Sequence, residues 1–265
     1  MRIGILGGTG SRSIIDDAET VRVETAWGAV PVETGRVGDL LVFFVSRHGA
    51  DHGRSAHRVA HKANLAALAA CRTDAVFAIN NVGGLREPFT TGDLVVPHDL
   101  VALWGPHVTI HEAEAVHVDM TAPYCPHLRS ALVTAASETW NGTVHAEGVY
   151  VQVPGPRLET AAEVRHLATM GDVVGMTGGP EAVLARELGL CFASLAFVAN
   201  PAAGREAGPV VADALRKALA DVSVALRDTV VAAARAVPRD RDCGCREAPA
   251  KGRMAPVPMR QAHKA

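Results

Sequence analysis

Five segments of this chain end in groups able to hold an anion or a polar ring. Arg47-His48-Gly49 sets a planar guanidinium beside an imidazole, a pair suited to phosphate or carboxylate, with a glycine that permits close approach. Gly7-Gly8-Thr9-Gly10-Ser11 offers backbone N–H groups and two hydroxyls. Asn80-Asn81-Val82-Gly83-Gly84-Leu85-Arg86 reads as a polar, glycine-containing turn. Met176-Thr177-Gly178-Gly179-Pro180-Glu181 puts a hydroxyl ahead of a helix start, and Asn200-Pro201 pairs an amide with a helix-forbidding residue.

Taken singly these signals are weak. The dinucleotide fingerprint fails because Gly8-Thr9-Gly10 lacks its third glycine, and no Gly-Lys-Ser/Thr completes a P-loop. A tight turn at Gly7 or a solvated Arg47 is the ordinary alternative. His48, His52, His57 and His61 recur at spacings that suit a metal, yet no HExxH pattern or nearby cysteine cluster supports one, so no metal is expected.

The elements that carry these segments give them weight. Apolar runs at residues 2–6, 40–46, 74–79, 172–176 and 191–199 read as buried strands, and each empties into one of the polar turns. Residues 20–25 and 29–34 alternate about Trp27-Gly28 as a hairpin; 92–97 and 143–153 are further strands. Helices are expected at 55–70 with Ser55 as N-cap, at 126–140, at 159–170 and at 209–237, where Pro238 stops the last. Ligands of α/β sheets sit outside the carboxyl ends of the strands, so the separate turns should form one pocket. The expectation is a single α/β domain over residues 1–238, then a proline-rich, charged tail at 239–265 that is disordered.

Composition narrows the partners. A net charge of -2, a pI near 6.6 and 4% aromatic residues give neither the basic patch nor the stacking groups that nucleic acid needs. The opening apolar run is too short for a signal peptide and no stretch is long enough to span a membrane, which points to a soluble, cytoplasmic protein. Cys71, Cys125 and Cys191 read as buried thiols; Cys243-Gly244-Cys245 reads as an exposed dithiol, a redox pair or a metal pair.

Read together and in order, the five segments, with Gly92-Asp93 and Gly155-Pro156-Arg157, resemble the trimeric purine nucleoside phosphorylase and methylthioadenosine phosphorylase family, over residues 1–237. The resemblance implies a mixed central β-sheet flanked by helices, no cofactor, and inorganic phosphate as co-substrate. It implies a phosphate site at Thr9, Arg47, His48, Asn80, Asn81 and Thr177, and Met176 beneath the ribose. Leu158, Glu159, Asn200 and Ala202 would face the base, lined by Val82 and Gly83. His117 would reach the 5′ end of the sugar from a neighbouring subunit, beside Val211 and Ala214. Asn200 and His48 are the expected catalytic groups.

Substrate choice follows from hydrogen-bonding chemistry. An oxopurine presents an N1–H donor, which an ionised Glu159 accepts; adenine presents an acceptor there. Adenine-using relatives carry two aspartates where this chain has Asn200-Pro201-Ala202-Ala203. Nucleoside-using relatives bond the 5′-hydroxyl through a histidine at the position of Val211, and valine suits a thioether instead. The combination implies S-methyl-5′-thioinosine, with methylthioadenosine and ordinary inosine or guanosine as alternatives. A nucleoside-binding protein without turnover, or a hydrolase, is the competing class; Arg47, His48 and Thr177 favour phosphate over water. Three positions depart from the family: Leu158 replaces an aromatic over the base, Asn81 replaces a small residue, and Gly178-Gly179 is expected to loosen the turn before Pro180.

Overall fold

Alternation along the first strand decides where the layers go. In β1 (Arg2–Gly7) Ile3 and Ile5 face one side of the sheet and Leu6 the other, and all three are fully buried. The computed structural model describes residues 1–8, 15, 17–49, 53–105, 107–210 and 212–254, with the backbone alone at 212–216.

The chain continues through β2 (Glu19–Val23), β3 (Val30–Val37), β4 (Leu40–Ser46), α1 (His61–Ala70), β5 (Ala75–Gly84), β6 (Leu94–Val95) and β7 (Asp99–Val101). Then follow α2 (Pro126–Thr139), β8 (Val144–His145), β9 (Val149–Gln152), α3 (Ala161–Leu167), β10 (Val173–Gly175) and α4 (Gly178–Glu187). The last elements are β11 (Phe192–Pro201), α5 (Ala212–Ala236) and α6 (Ala248–Gly252). All the strands join one mixed sheet, running β2-β3-β4-β1-β5-β10-β9-β7, with β11 also on β5 and β6 linking β11 to β8. Ile3, Ile5, Phe44 and Phe77 pack with Leu128 and Leu132 of α2 and Leu226 and Val230 of α5. Leu6, Val76 and Ala78 pack with Leu65 and Leu68 of α1 and Leu184 of α4. The expected flanked α/β architecture is what forms.

Four local expectations differ from the structure. Residues 55–70 hold a short 3-10 turn at Ala56–Arg58 before α1, and Ser55 makes no side-chain cap. Residues 143–153 split into β8 and β9. Asn80 to Gly84 is not a turn but the second half of β5, because β11 supplies a continuous parallel partner from Val76 to Gly84. The tail expected to be disordered packs on the domain at least as far as Met254; residues 255–265 lie outside the described residues. Cys245 and Ala248 are buried, Val116 forms a bridge with Arg253, and the His117 and Met254 amides donate to the Gly252 and Ala115 carbonyls. Burial of a few small residues holds a segment whose composition carries no aliphatic pattern.

The start of α4 has its own local logic. Its first amides lack intrahelical acceptors. Tyr150 of β9 supplies one, its hydroxyl oxygen accepting from the Gly178 amide at 3.1 Å and, longer, from Thr177 at 3.4 Å. Gln152 Oε1 accepts from the Gly179 amide at 2.9 Å. Burial pushes the Tyr150 pKa up to about 12, so the phenol stays neutral. A Cβ on Gly178 would stand 2.8 Å from the Tyr150 ring, and one on Gly179 would stand 2.9 Å from Gln152. The paired glycines therefore admit two buried caps and tighten the turn, the reverse of the loosening expected.

Gly178→Ala should cost about 1–3 kcal/mol by overpacking against the phenol ring. Tyr150→Leu added to that variant should recover part of the loss, read as denaturation midpoints of both variants; a Gly178→Ala midpoint equal to wild type removes the cap as the reason for glycine.

Candidate active site

The site begins where the sheet divides. β5 pairs with β1 up to Leu6 opposite Ala78, and with β10 only from Gly83 opposite Val174. Among the described residues no strand pairs with β5 on that side between these points. Arg47, the first residue after β4, fills the gap, donating from Nη1 to the Ile79 carbonyl at 2.7 Å and from Nη2 to the Leu6 carbonyl at 3.3 Å. Its Nε and Nη2 donate to the Glu181 carboxylate at 2.6 and 3.0 Å. Both side chains are 1% exposed.

The planar fork that the sequence suggested for a ligand is thus engaged by Glu181. A guanidinium this deep needs a counter-charge, since an uncompensated buried ion costs several kcal/mol, and Glu181 takes the bidentate face. What Arg47 leaves towards the cavity is its Nη1 edge. That nitrogen is 2.6 Å from where a Cβ on Gly8 would stand, and Asn81 Nδ2 is 3.7 Å from the same point. Gly8 thus approaches a cluster of N–H donors more closely than a residue with a Cβ could.

Asn80 is also placed differently from expectation. Successive strand residues face opposite sides, so Asn81 reaches the cavity while Asn80 is buried behind its wall. The Asn80 Nδ2 donates to Thr177 Oγ1 at 3.1 Å and to Glu181 at 3.3 Å, and its Oδ1 accepts from Ser194 Oγ at 2.6 Å. With its oxygen already accepting from Asn80, the Thr177 hydroxyl can turn its own proton to the cavity. His48 Nδ1 lies 2.8 Å from the Arg54 carbonyl, which can only accept, so Nδ1 carries hydrogen. His61, buried nearby, has its pKa lowered to about 4, chiefly by burial, and adds no charge at neutral pH.

A cavity of about 530 Å³ joins this corner to the far loops. Gly8, Arg47, His48, Asn81 and Thr177 border it, as do Val82, Gly83, Leu158, Glu159, Met176, Asn200 and Ala202. Glu159 is half-buried and its pKa is raised, foremost by burial. Asn200 follows an irregularity in β11 and donates one amide hydrogen to the Pro201 carbonyl at 2.6 Å, which leaves the second for a ligand. Leu158 is 45% exposed at the rim.

Some expected residues are not brought in. Thr9 and Val211 lie outside the described residues. Ala214 falls early in α5 with only its backbone described, and His117 is exposed and does not line the cavity of its own chain. Sequence reasoning missed Leu219, a buried α5 residue on the cavity wall, and assigned no role to Glu181, Tyr150 or Gln152. The Pro180-Glu181 pair was the available signal: a carboxylate in the first turn of an apolar helix that faces the core needs a cation.

A divided mixed sheet flanked by helices, with a cavity lined by N–H and O–H donors, an amide and a carboxylate, defines a class, the nucleoside phosphorylase fold. Residues 2–235 match the Phosphorylase superfamily. The chain belongs to this family, in the branch of the purine nucleoside and methylthioadenosine phosphorylases, and is an enzyme of the pentosyltransferase class. It is 36% identical to the 6-oxopurine nucleoside phosphorylase of Pyrococcus furiosus, covering 93% of this chain and 97% of that one. It is also 36% identical to the "probable S-methyl-5'-thioinosine phosphorylase" of Methanopyrus kandleri, covering 93% and 96%. Methylthioadenosine phosphorylase from Schistosoma mansoni, solved with adenine, superposes with a TM-score of 0.89 at 26% identity over 95% of this chain and 98% of that one.

Glu181→Gln should destabilise by about 3–5 kcal/mol, because it leaves Arg47 charged and unpaired in the core. Arg47→Met with Glu181→Leu should restore much of the stability but not the activity. A double variant with wild-type turnover would show that the pair serves packing alone.

Proposed function

We propose that the enzyme cleaves the N-glycosidic bond of a 6-oxopurine nucleoside by phosphorolysis, with S-methyl-5′-thioinosine as preferred substrate and hypoxanthine and 5-methylthioribose 1-phosphate as products. The observation that carries the proposal is one cavity lined both by N–H and O–H donors of Arg47, His48, Asn81 and Thr177 and by Glu159 and Asn200. Phosphate sits in the corner of Gly8, the Arg47 Nη1 edge, His48, Asn81 and Thr177. One of its oxygens attacks C1′ of the sugar as the bond to N9 breaks, and the bonding pair leaves with the purine. Positive charge grows on the ribose and negative charge on the base, so an anion below the ring and a donor at the base both favour the transition state over the ground state. Asn200 supplies that donor to N7 or O6, a contribution of ~3 kcal/mol to the barrier by analogy with oxyanion-hole deletions. No covalent enzyme intermediate is needed.

Glu159 selects the base by accepting from N1–H, a bond that also holds its carboxylate ionised against the upward pull of burial. The 5′ end of the sugar faces the first turns of α5, before which Val211 stands in the sequence and where Leu219, about two turns along, presents an apolar wall. A hydroxyl there would go unpaired; a methylthio group would not. Among the described residues no helix is long and apolar enough to cross a membrane. A cytoplasmic homotrimer, with His117 entering a neighbour's site and no nucleic-acid or membrane partner, completes the proposal.

Purine release followed by ultraviolet absorbance should be phosphate-dependent, with kcat/KM for methylthioinosine at least tenfold above methylthioadenosine and inosine. A dominant methylthioadenosine rate removes the role of Glu159 in base choice, a dominant inosine rate removes the apolar 5′ wall, and release without phosphate identifies a hydrolase.

Because its pKa is raised, Glu159 takes up a proton at higher pH than an exposed glutamate. On acidification kcat/KM for methylthioinosine should therefore fall while preference drifts towards methylthioadenosine, whose N1 a protonated carboxyl can serve. Glu159→Gln should abolish the drift; an unchanged pH profile in that variant assigns it to another group.

A further inference from the structure

Cys125, Cys191, Cys243 and Cys245 come from three distant parts of the chain, yet their four sulfurs all lie within 4.8 Å of one another. Cys125 precedes α2, Cys191 precedes β11, and the Cys243-Gly244-Cys245 pair sits in the segment after α5. Three of the four are buried, which corrects the expectation of an exposed dithiol, and Cys191 and Cys243 are 3.5 Å apart. A disulfide requires about 2.05 Å between sulfurs. A tetrahedral zinc site with Zn–S bonds of about 2.3 Å places its sulfurs about 3.8 Å apart. We propose that these four cysteines form a structural tetrathiolate site for a thiophilic divalent cation, zinc in the first place, which fastens the C-terminal segment to the domain.

The surroundings suit that charge. Four thiolates and one divalent cation sum to a charge of −2, since each thiol gives up its proton on binding. Arg186 Nη1 lies 3.6 Å from Cys245 Sγ, and the Arg241 guanidinium bears on Cys191, so two positive charges face the cluster. The Leu128 amide, in the first turn of α2, donates to the Cys125 sulfur. The site stands at the amino end of β11, whereas Asn200 is near the carboxyl end, roughly 30 Å away at about 3.3 Å per residue. Its role is therefore structural. The fastened segment goes on to pair Arg253 with Val116 and bond Gly252 to His117.

The test is elemental analysis of the full-length protein, purified under reducing conditions without chelator and then incubated with zinc. The expected result is about one zinc per chain, released by a mercurial thiol reagent, and a cobalt-substituted form with the sulfur-to-cobalt charge-transfer band of a tetrathiolate. Cys243→Ser with Cys245→Ser should lose at least tenfold in bound metal and lower the Tm, while purine release at 25 °C stays within twofold. Less than about 0.1 zinc per chain in the wild type overturns the site. So does an intact mass about four hydrogens low, the mark of two disulfides.

Discussion

The Arg47–Glu181 ion pair is the interaction on which the site depends. β5 has to leave β1 and take up β10 within a few residues, and that change of partner strands two backbone carbonyls in the core. A guanidinium satisfies both at once, and a carboxylate from α4 neutralises it. The same carboxylate accepts from Asn80, which in turn orients Thr177 and is held by Ser194. One buried network thus ties β4, β5, α4 and β11 together and fixes the wall from which Thr177 and Asn81 project. Function and fold are satisfied by the same atoms, which explains why so large a polar network is tolerated in an apolar core.

Base choice rests on a different balance. Burial raises the Glu159 pKa, so in the proposed reaction a ring N–H would compensate a charge that is poorly compensated in the free enzyme. Asn200 has half of its donor capacity engaged by the Pro201 carbonyl at the end of β11, which fixes the direction of the remainder. Neither group is held by the Arg47 network. The donor side of the cavity is therefore tied to the core network, whereas Glu159, in the loop before α3, and Asn200, at the end of β11, stand apart from it.

Much of this was legible in the sequence. The strands at β1, β4 and β11 announce themselves by unbroken apolar runs, and the polar residues at their carboxyl ends do line one cavity. The exceptions share a cause, that distant partners decide them. Asn80 to Gly84 looks like a turn because glycine and asparagine break isolated strands, but β11 lies alongside and keeps the run extended. Glu181 finds its cation 134 residues away, and the Tyr150 hydroxyl reaches the start of α4 from another strand. Cys243 and Cys245 stand paired in the sequence, but no spacing joins them to Cys125 and Cys191, which the fold alone brings to them. Residues 239–254 fail the hydrophobicity test for order and are held by a few specific contacts instead.

The helix α4 touches all of these places. Its first turn carries Glu181; its last carries Arg186, which faces Cys245 and bonds the Asp119 carbonyl, and Glu187, which accepts from Thr109 and the Ile110 amide. Ten residues of α-helix make a stiff rod of about 15 Å. Its two ends form one rigid body, so the loop at residues 109–119, the sulfur cluster and the Arg47–Glu181 pair all rest on a single support.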